Sequence, residues 1–155
     1  HHLRANGGQG QYIDVALYES VFAIMESLLP EYSVLGHVRE RSGASLPGIS
    51  PSNTYRCGDG LYVAIAGNGD AIFRRLMTAI GRADLADDPA LAHNDGRVRH
   101  NERLDEAIAA WTGQHPAEHV LDVLEAAAVP AGRIYTPADI VADPHYRMRD
   151  MICPH

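Results

Sequence analysis

The stretch from Ser52 to Gly81 constrains the fold more than any other part of the chain. Two β-rich runs, TYRC and GLYVAIA, flank a Gly-Asp-Gly turn, and a helical pattern follows directly. Glycine accepts positive φ, so Gly58-Asp59-Gly60 closes a tight hairpin. In the second run Leu61, Val63 and Ile65 alternate with Tyr62, Ala64 and Ala66, which is the two-residue period of a strand with one buried face. Gly67-Asn68-Gly69 ends that strand. Asp70 is placed to cap a helix over AIFRRLMTAIG, with Ile72, Leu76 and Ile80 as its apolar stripe and Gly81 as the residue that stops it.

The segments around this unit alternate between helical and irregular patterns. After the glycine-rich GGQGQ, residues Ile13, Leu17, Val21, Ile24 and Leu28 recur at three- and four-residue steps and predict a buried helix stopped near Pro30, with a short strand at QYIDVA as an alternative start. HVRERSGASLPGISPSN mixes charge, Gly, Ser and Pro without a period, and is expected to be an exposed linker at a domain boundary. Turns are expected at Asp88-Pro89 and Asn94-Asp95-Gly96. One amphipathic helix opens at Asn101, with Leu104, Ile108 and Trp111 on one side; another opens at Pro116, with Val120, Leu121 and Leu124 inward. PAGRIYTP reads as a short strand and ADIVADPHYRMRDMI as a brief helix, ending at an apolar MICPH that looks cut. The order points to an α/β class with an α+β small domain built on a hairpin and several helices.

Composition narrows the function. A chain of 155 residues, 46% hydrophobic, can bury a core. Its net charge is −7 and it contains no lysine, so it lacks the basic face a nucleic-acid binder needs, and lysine Schiff-base chemistry is excluded. Cys57 and Cys153 are far apart and form no C-x-x-C, which suggests neither a zinc ribbon nor a disulfide framework; a reducing cytoplasm is the simplest location. No apolar run approaches the roughly 18 residues that span a bilayer, so no membrane association is expected.

Several local motifs invite chemistry and are weighed against plainer roles. Gly67-Asn68-Gly69 is either a strand-to-helix bend or an anion cradle made of free N–H groups; Ile72, where a dinucleotide pattern wants glycine, favours the bend. Asp14 and Glu19 lie on different faces of the predicted helix and are expected to be structural. HPAEH, His115 to His119, has the H-x-x-E-H pattern of some zinc peptidases. Pro116 pushes His115 out of helical geometry, so the two imidazoles are expected to lie apart, and no metal site is expected. His37, His93, His100 and His145 fall in polar loops as solvated or capping groups. Arg39, Arg41, Arg97 and Arg99 are expected to be solvated loop charges rather than a phosphate grip, and Cys57 lacks an adjacent base that would make it a nucleophile.

Four segments in order, GGQGQYIDVALYES, the linker into SNTYRCGDGLYVAIA, LADDPALAHNDGRVRHNERL and AAAVPAGRIYTPADIVADPHYRMRDM, resemble the family III CoA-transferases, which include formyl-CoA and carnitine CoA-transferases and the related α-methylacyl-CoA racemases. The resemblance runs over nearly the whole chain. It implies a large Rossmann-like domain, a small α+β domain joined by two linkers, and a homodimer of interlocked rings. On that map residues 1–45 close the first portion of the large domain, 46–138 form the small domain, and 139–155 return toward the large domain. The family's nucleophilic aspartate, in a Gly-Asp pair, belongs upstream of GQGQ. No catalytic residue is therefore expected in this chain, which alone should be inactive.

The reaction implied by the resemblance moves CoA between an acyl-CoA and a small carboxylic acid. A carboxylate attacks the thioester to give a mixed anhydride, the CoA thiolate returns to give an enzyme thioester, and an incoming acid reverses both steps. The CoA thioester is a substrate, and no covalently bound cofactor is implied. Oxyanion donors or a lid from this chain would come from LPGISPSN, notably Gly48 and Asn53, and from Gly67, Asn68 and Gly69. This sequence lacks the run of glycines found in the lid of formyl-CoA transferase. Two other functions stay open: proton transfer α to a thioester, as in the racemases, where an acid tends to occupy the turn after YVA, and a non-catalytic assembly module.

Overall fold

A computed structural model describes residues 2–16, 20, 22–25, 27–40 and 43–149. Leu17, Glu19, Val21, Arg41 and Cys153, all named above, lie outside the described residues. The chain divides into two compact units, residues 1–41 and 42–155. Among the described residues no helix is long and apolar enough to cross a membrane.

In the first unit, helix α1 spans His2–Ala5 and helix α2 spans Leu28–Leu35. The helix expected over 13–28 does not begin at Ile13: residues 8–16 carry neither helix nor strand, Ser20, Phe22 and Ala23 are helical, and Ile13 and Ile24 are 79% and 77% exposed. Most of a helix's stability comes from packing its apolar face, and among the described residues the Ile13 and Ile24 side chains are left largely unpacked. Pro30 does not stop a helix but sits in the first turn of α2, where its missing N–H costs no bond. Gly36, with φ of 65°, ends α2 by donating its N–H to the Tyr32 carbonyl. Arg39 is not a solvated charge either. It donates to both oxygens of Glu31 and to Ser27 Oγ, and the Arg39 bond, then that from Ser27, hold the Glu31 carboxyl down at about 2.

The second unit is built on the predicted hairpin. Strands β1 (Ser52–Arg56) and β2 (Tyr62–Ala66) pair antiparallel with Tyr55 opposite Val63 and Asn53 opposite Ile65, and β3 (Ala131–Arg133) adds antiparallel to the far side of β2, giving the order β1-β2-β3. Tyr55, Val63 and Ile65 point into the core. Ser52, Thr54, Ala64 and Ala66 line the other face, where they border an open groove of about 390 Å³ with Ala44 and Gly132.

Helices cover the core face: α3 (Asp70–Ala79), α4 (Ala83–Ala86), a 3-10 turn at Pro89–Leu91, α5 (Asn94–Arg99), α6 (Asn101–Thr112) and α7 (Ala117–Ala126). Phe73, Leu76 and Met77 of α3, Leu104 and Ile108 of α6, and Val120 and Leu124 of α7 fill the core with Leu85 and Leu91. Fully burying each such aliphatic side chain is worth about 1.5–3 kcal/mol. Trp111 and Leu121 pack at its margin, as does Ile72, which the expected stripe had placed inside in preference to Phe73 and Met77. Gly81, with φ of 75°, ends α3 as predicted: its N–H reaches Thr78 O while that of Arg82 reaches Met77 O, the paired bonds of a Schellman motif. The chain continues through β3 into two short helices, α8 (Pro137–Ala142) and α9 (Pro144–Met148), where one was expected. Asp143-Pro144 divides them, because proline disfavours helical geometry in the residue before it.

Candidate functional site

The segments singled out for a binding role, residues 46–53 and the Gly67-Asn68-Gly69 turn, are adjacent in the fold and joined by one side chain. Gly67 donates its N–H to Pro51 O at 2.9 Å, and Arg97 holds the rest. Arg97 has no exposed surface. Its Nε donates to Ser50 O at 3.0 Å, Nη1 to Leu91 O and Ala92 O at 3.1 Å each, and Nη2 to Asn68 O at 2.7 Å and Asp70 Oδ1 at 2.8 Å. The guanidinium also stacks on Phe73, 4.9 Å from the ring centroid. Arg97 is thus not a solvated loop charge, in contrast to Arg99, which is exposed and pairs with Asp95.

Local structure explains how an arginine reaches this position. Asn94-Asp95-Gly96 does not make a turn but opens α5. A Cβ at Gly96 would lie 1.9 Å from Ala90 O, so only glycine lets α5 approach the preceding 3-10 turn closely enough to direct Arg97 inward. Asn94 assists from the same helix, donating Nδ2 to Gly48 O at 2.9 Å and accepting the Ser50 N–H at 3.1 Å.

Asp70 is not the cap of α3. Gly69 occupies the N-cap, and Asp70, the first helical residue, accepts from Arg97 and sits 2.9 Å from His93 Nδ1. The bond with His93, then that with Arg97, holds the Asp70 carboxyl below its ordinary range. This carboxylate already complements the partial positive charge at the start of α3.

A second polar chain continues from Ser50. Its Oγ donates to Asn101 Oδ1 at 2.6 Å, Asn101 Nδ2 donates to Asp105 Oδ2 at 2.9 Å, and Asp105 also accepts from Asn53 Nδ2 at 3.1 Å and Tyr55 OH at 2.5 Å. Burial, then the bond to Asp105, pushes the Tyr55 hydroxyl well above the usual tyrosine range. Burial, then the nearby Asp59 charge, likewise raises the Cys57 thiol, which suits an inert side chain.

The five candidate residues therefore differ in what they offer. Gly48, with φ of 80°, and Asn68 contribute carbonyls that are already bonded. The Asn53 amide is taken up by Asp105 and by the Thr54 N–H. Gly67 is closely packed, since a Cβ there would meet Leu76 Cδ2 at 2.5 Å and Pro51 Cγ at 3.1 Å, and the Gly69 carbonyl accepts from Phe73. Asp14, also named from the sequence, is exposed in the other unit. Sequence reasoning missed Arg97 and Asp105. Arg97 stands in a polar RVRH string with no periodicity to mark it, whereas Asp105 follows Asn101 by four residues, the spacing of a helical hydrogen-bonded pair.

The sequence pattern of CoA-transferase family III matches residues 2–155. The chain belongs to CoA-transferase family III. Among the family's characterised members, the succinyl-CoA–D-citramalate CoA-transferase of Chloroflexus aurantiacus is 45% identical over 151 residues, covering 97% of this chain and 38% of that protein. The succinyl-CoA:mesaconate CoA-transferase of Haloarcula hispanica is 37% identical, with 97% of this chain and 37% of that protein covered. The crystal structure of a CaiB/BaiF family protein from Brucella suis superposes with a TM-score of 0.74 at 35% identity, over 97% of this chain and 39% of that one. The chain thus spans less than two fifths of the length of these family members.

Proposed function

We propose that this chain is the part of an acyl-CoA transferase that carries the small α+β domain, and that the enzyme moves CoA from succinyl-CoA to a dicarboxylic acid of the citramalate or mesaconate kind. The carrying observation is the 45% identity to the D-citramalate enzyme across 97% of this chain. The nucleophilic carboxylate that forms the acyl anhydride lies outside these 155 residues. Residues 46–53 and Gly67–Gly69 supply a rigid wall near the bound thioester, and Arg97 fixes one segment against the other. A wall that does not reorganise during the reaction is what electrostatic preorganisation requires. In the first unit Tyr12, Ile13, Ile24, Val34 and Leu35 are all exposed, which supports cover by further polypeptide of an interlocked homodimer.

Transfer is preferred over racemisation on one observation. The acid nearest the turn, Asp70, is engaged by Arg97 and His93 and is poorly placed to serve as a free base. The test is an assay of the full-length gene product with succinyl-CoA and a panel of dicarboxylic acids, with hydroxylamine added to trap an activated enzyme carboxylate. CoA exchange with hydroxamate formation on an aspartate is expected. Deuterium entering the α carbon from solvent without an acceptor acid would favour the racemase, and loss of both activities would leave the assembly module.

A further inference from the structure

The HPAEH segment stands apart from the wall described above, and its geometry differs from the sequence expectation. The ring centroids of His115 and His119 lie 4.8 Å apart with planes inclined at 40°, and His115 lies 5.2 Å from Trp111. His115 is indeed outside α7, as Pro116 requires. Its backbone is nevertheless anchored, with its N–H donating to Thr112 O and its carbonyl accepting from Gly58, and this places the ring over the first turn of α7 beside His119. His119 is exposed and His115 half-buried. Among the described residues, neither ring nitrogen pair makes a hydrogen bond.

We propose that His115 and His119 together form a binding site for a transition-metal ion of the imidazole-preferring class, Cu(II), Ni(II) or Zn(II). Neutral imidazole is a good ligand for these ions. Metal–nitrogen bonds of about 2.0–2.1 Å require two ring nitrogens roughly 3 Å apart, a separation that rings this close reach by turning about the soft χ2 torsion. Among the described residues there is no group of three or more His, Cys, Asp and Glu side chains suited to a metal. The site therefore supplies two protein ligands and leaves the other positions to water or an exchangeable ligand. This inference does not depend on the CoA-transfer proposal.

Trp111 is the chain's only tryptophan and adjoins His115, so it reports on this site. The intact chain is titrated with Cu(II) near neutral pH while Trp111 emission is followed. Saturable quenching is expected. His119→Ala, His119→Gln and His115→Ala should each raise the half-quenching Cu(II) concentration by about tenfold or more, since loss of even an outer-sphere partner costs that much affinity at built sites. His145→Ala should leave it unchanged. Half-quenching at the wild-type concentration in both folded His119 variants, verified by circular dichroism, overturns the proposal.

Discussion

The carboxylate of Asp59, in the hairpin turn, accepts the backbone N–H of Ala117 at 2.9 Å and so caps a helix 58 residues further along the chain. Helix α7 has no side-chain cap of its own, because its N-cap residue is Pro116. The same turn docks through Gly58, whose N–H reaches His115 O at 2.8 Å and whose missing Cβ would lie 3.0 Å from Gly113 O.

Asp59→Ala is expected to lower Tm by a few degrees, while Asp59→Asn keeps an accepting oxygen and loses less. The N–H of Ala117, then that of Leu61, holds the Asp59 carboxyl below its ordinary value. A depressed folded pKa gives a contribution fully present above the unfolded value of about 3.9 and lost as pH falls through the folded value. Thermal melts should therefore show the gap between wild type and Asp59→Asn at neutral pH closing in strong acid. A gap that persists unchanged there would assign the effect to packing rather than to the ionised carboxylate.

Arg97→Met should destabilise the chain by about 3–5 kcal/mol, because it strips donors from buried carbonyls and leaves Asp70 without its buried partner. Arg97→Lys should recover only part of that loss, since an ammonium cannot reach Ser50, Leu91 and Asn68 from one planar fork. Urea denaturation of the three proteins measures this, and equal midpoints would show that the two loop segments hold together without the guanidinium.

Gly96→Ala and Gly132→Ala make a matched pair. The first places a methyl 1.9 Å from the Ala90 carbonyl and should destabilise severely or prevent folding, while the second meets nothing within 4 Å and should shift stability by no more than about 0.5 kcal/mol. Soluble yield and thermal melting distinguish them, and a well-folded Gly96→Ala protein would show that α5 can retreat from the preceding turn.

Much of the second unit was legible in the sequence, for identifiable reasons. The two-residue alternation around Val63 and Ile65, the Gly-Asp-Gly turn, Gly81 and the stripes of α6 and α7 are local signals backed by burial. The candidate site was legible only as two loop segments. That the Asn53 amide is committed to Asp105, or that Asn94-Asp95-Gly96 starts a helix, depends on partners 52 and 44 residues away. In the first unit, the periodicity of Ile13 and Ile24 promised a helix that those exposed residues do not form.

The sequence by itself determined the hairpin, the inward faces of α6 and α7 and the family, because period, turn chemistry and ordered motifs are properties of neighbouring residues. Only the tertiary structure decided that Arg97 is buried, that Asp59 caps α7 and that His115 meets His119. A charged or polar side chain carries no local sign of where it will be satisfied. Its place is set by whichever unpaired backbone groups the packed core brings within hydrogen-bonding reach.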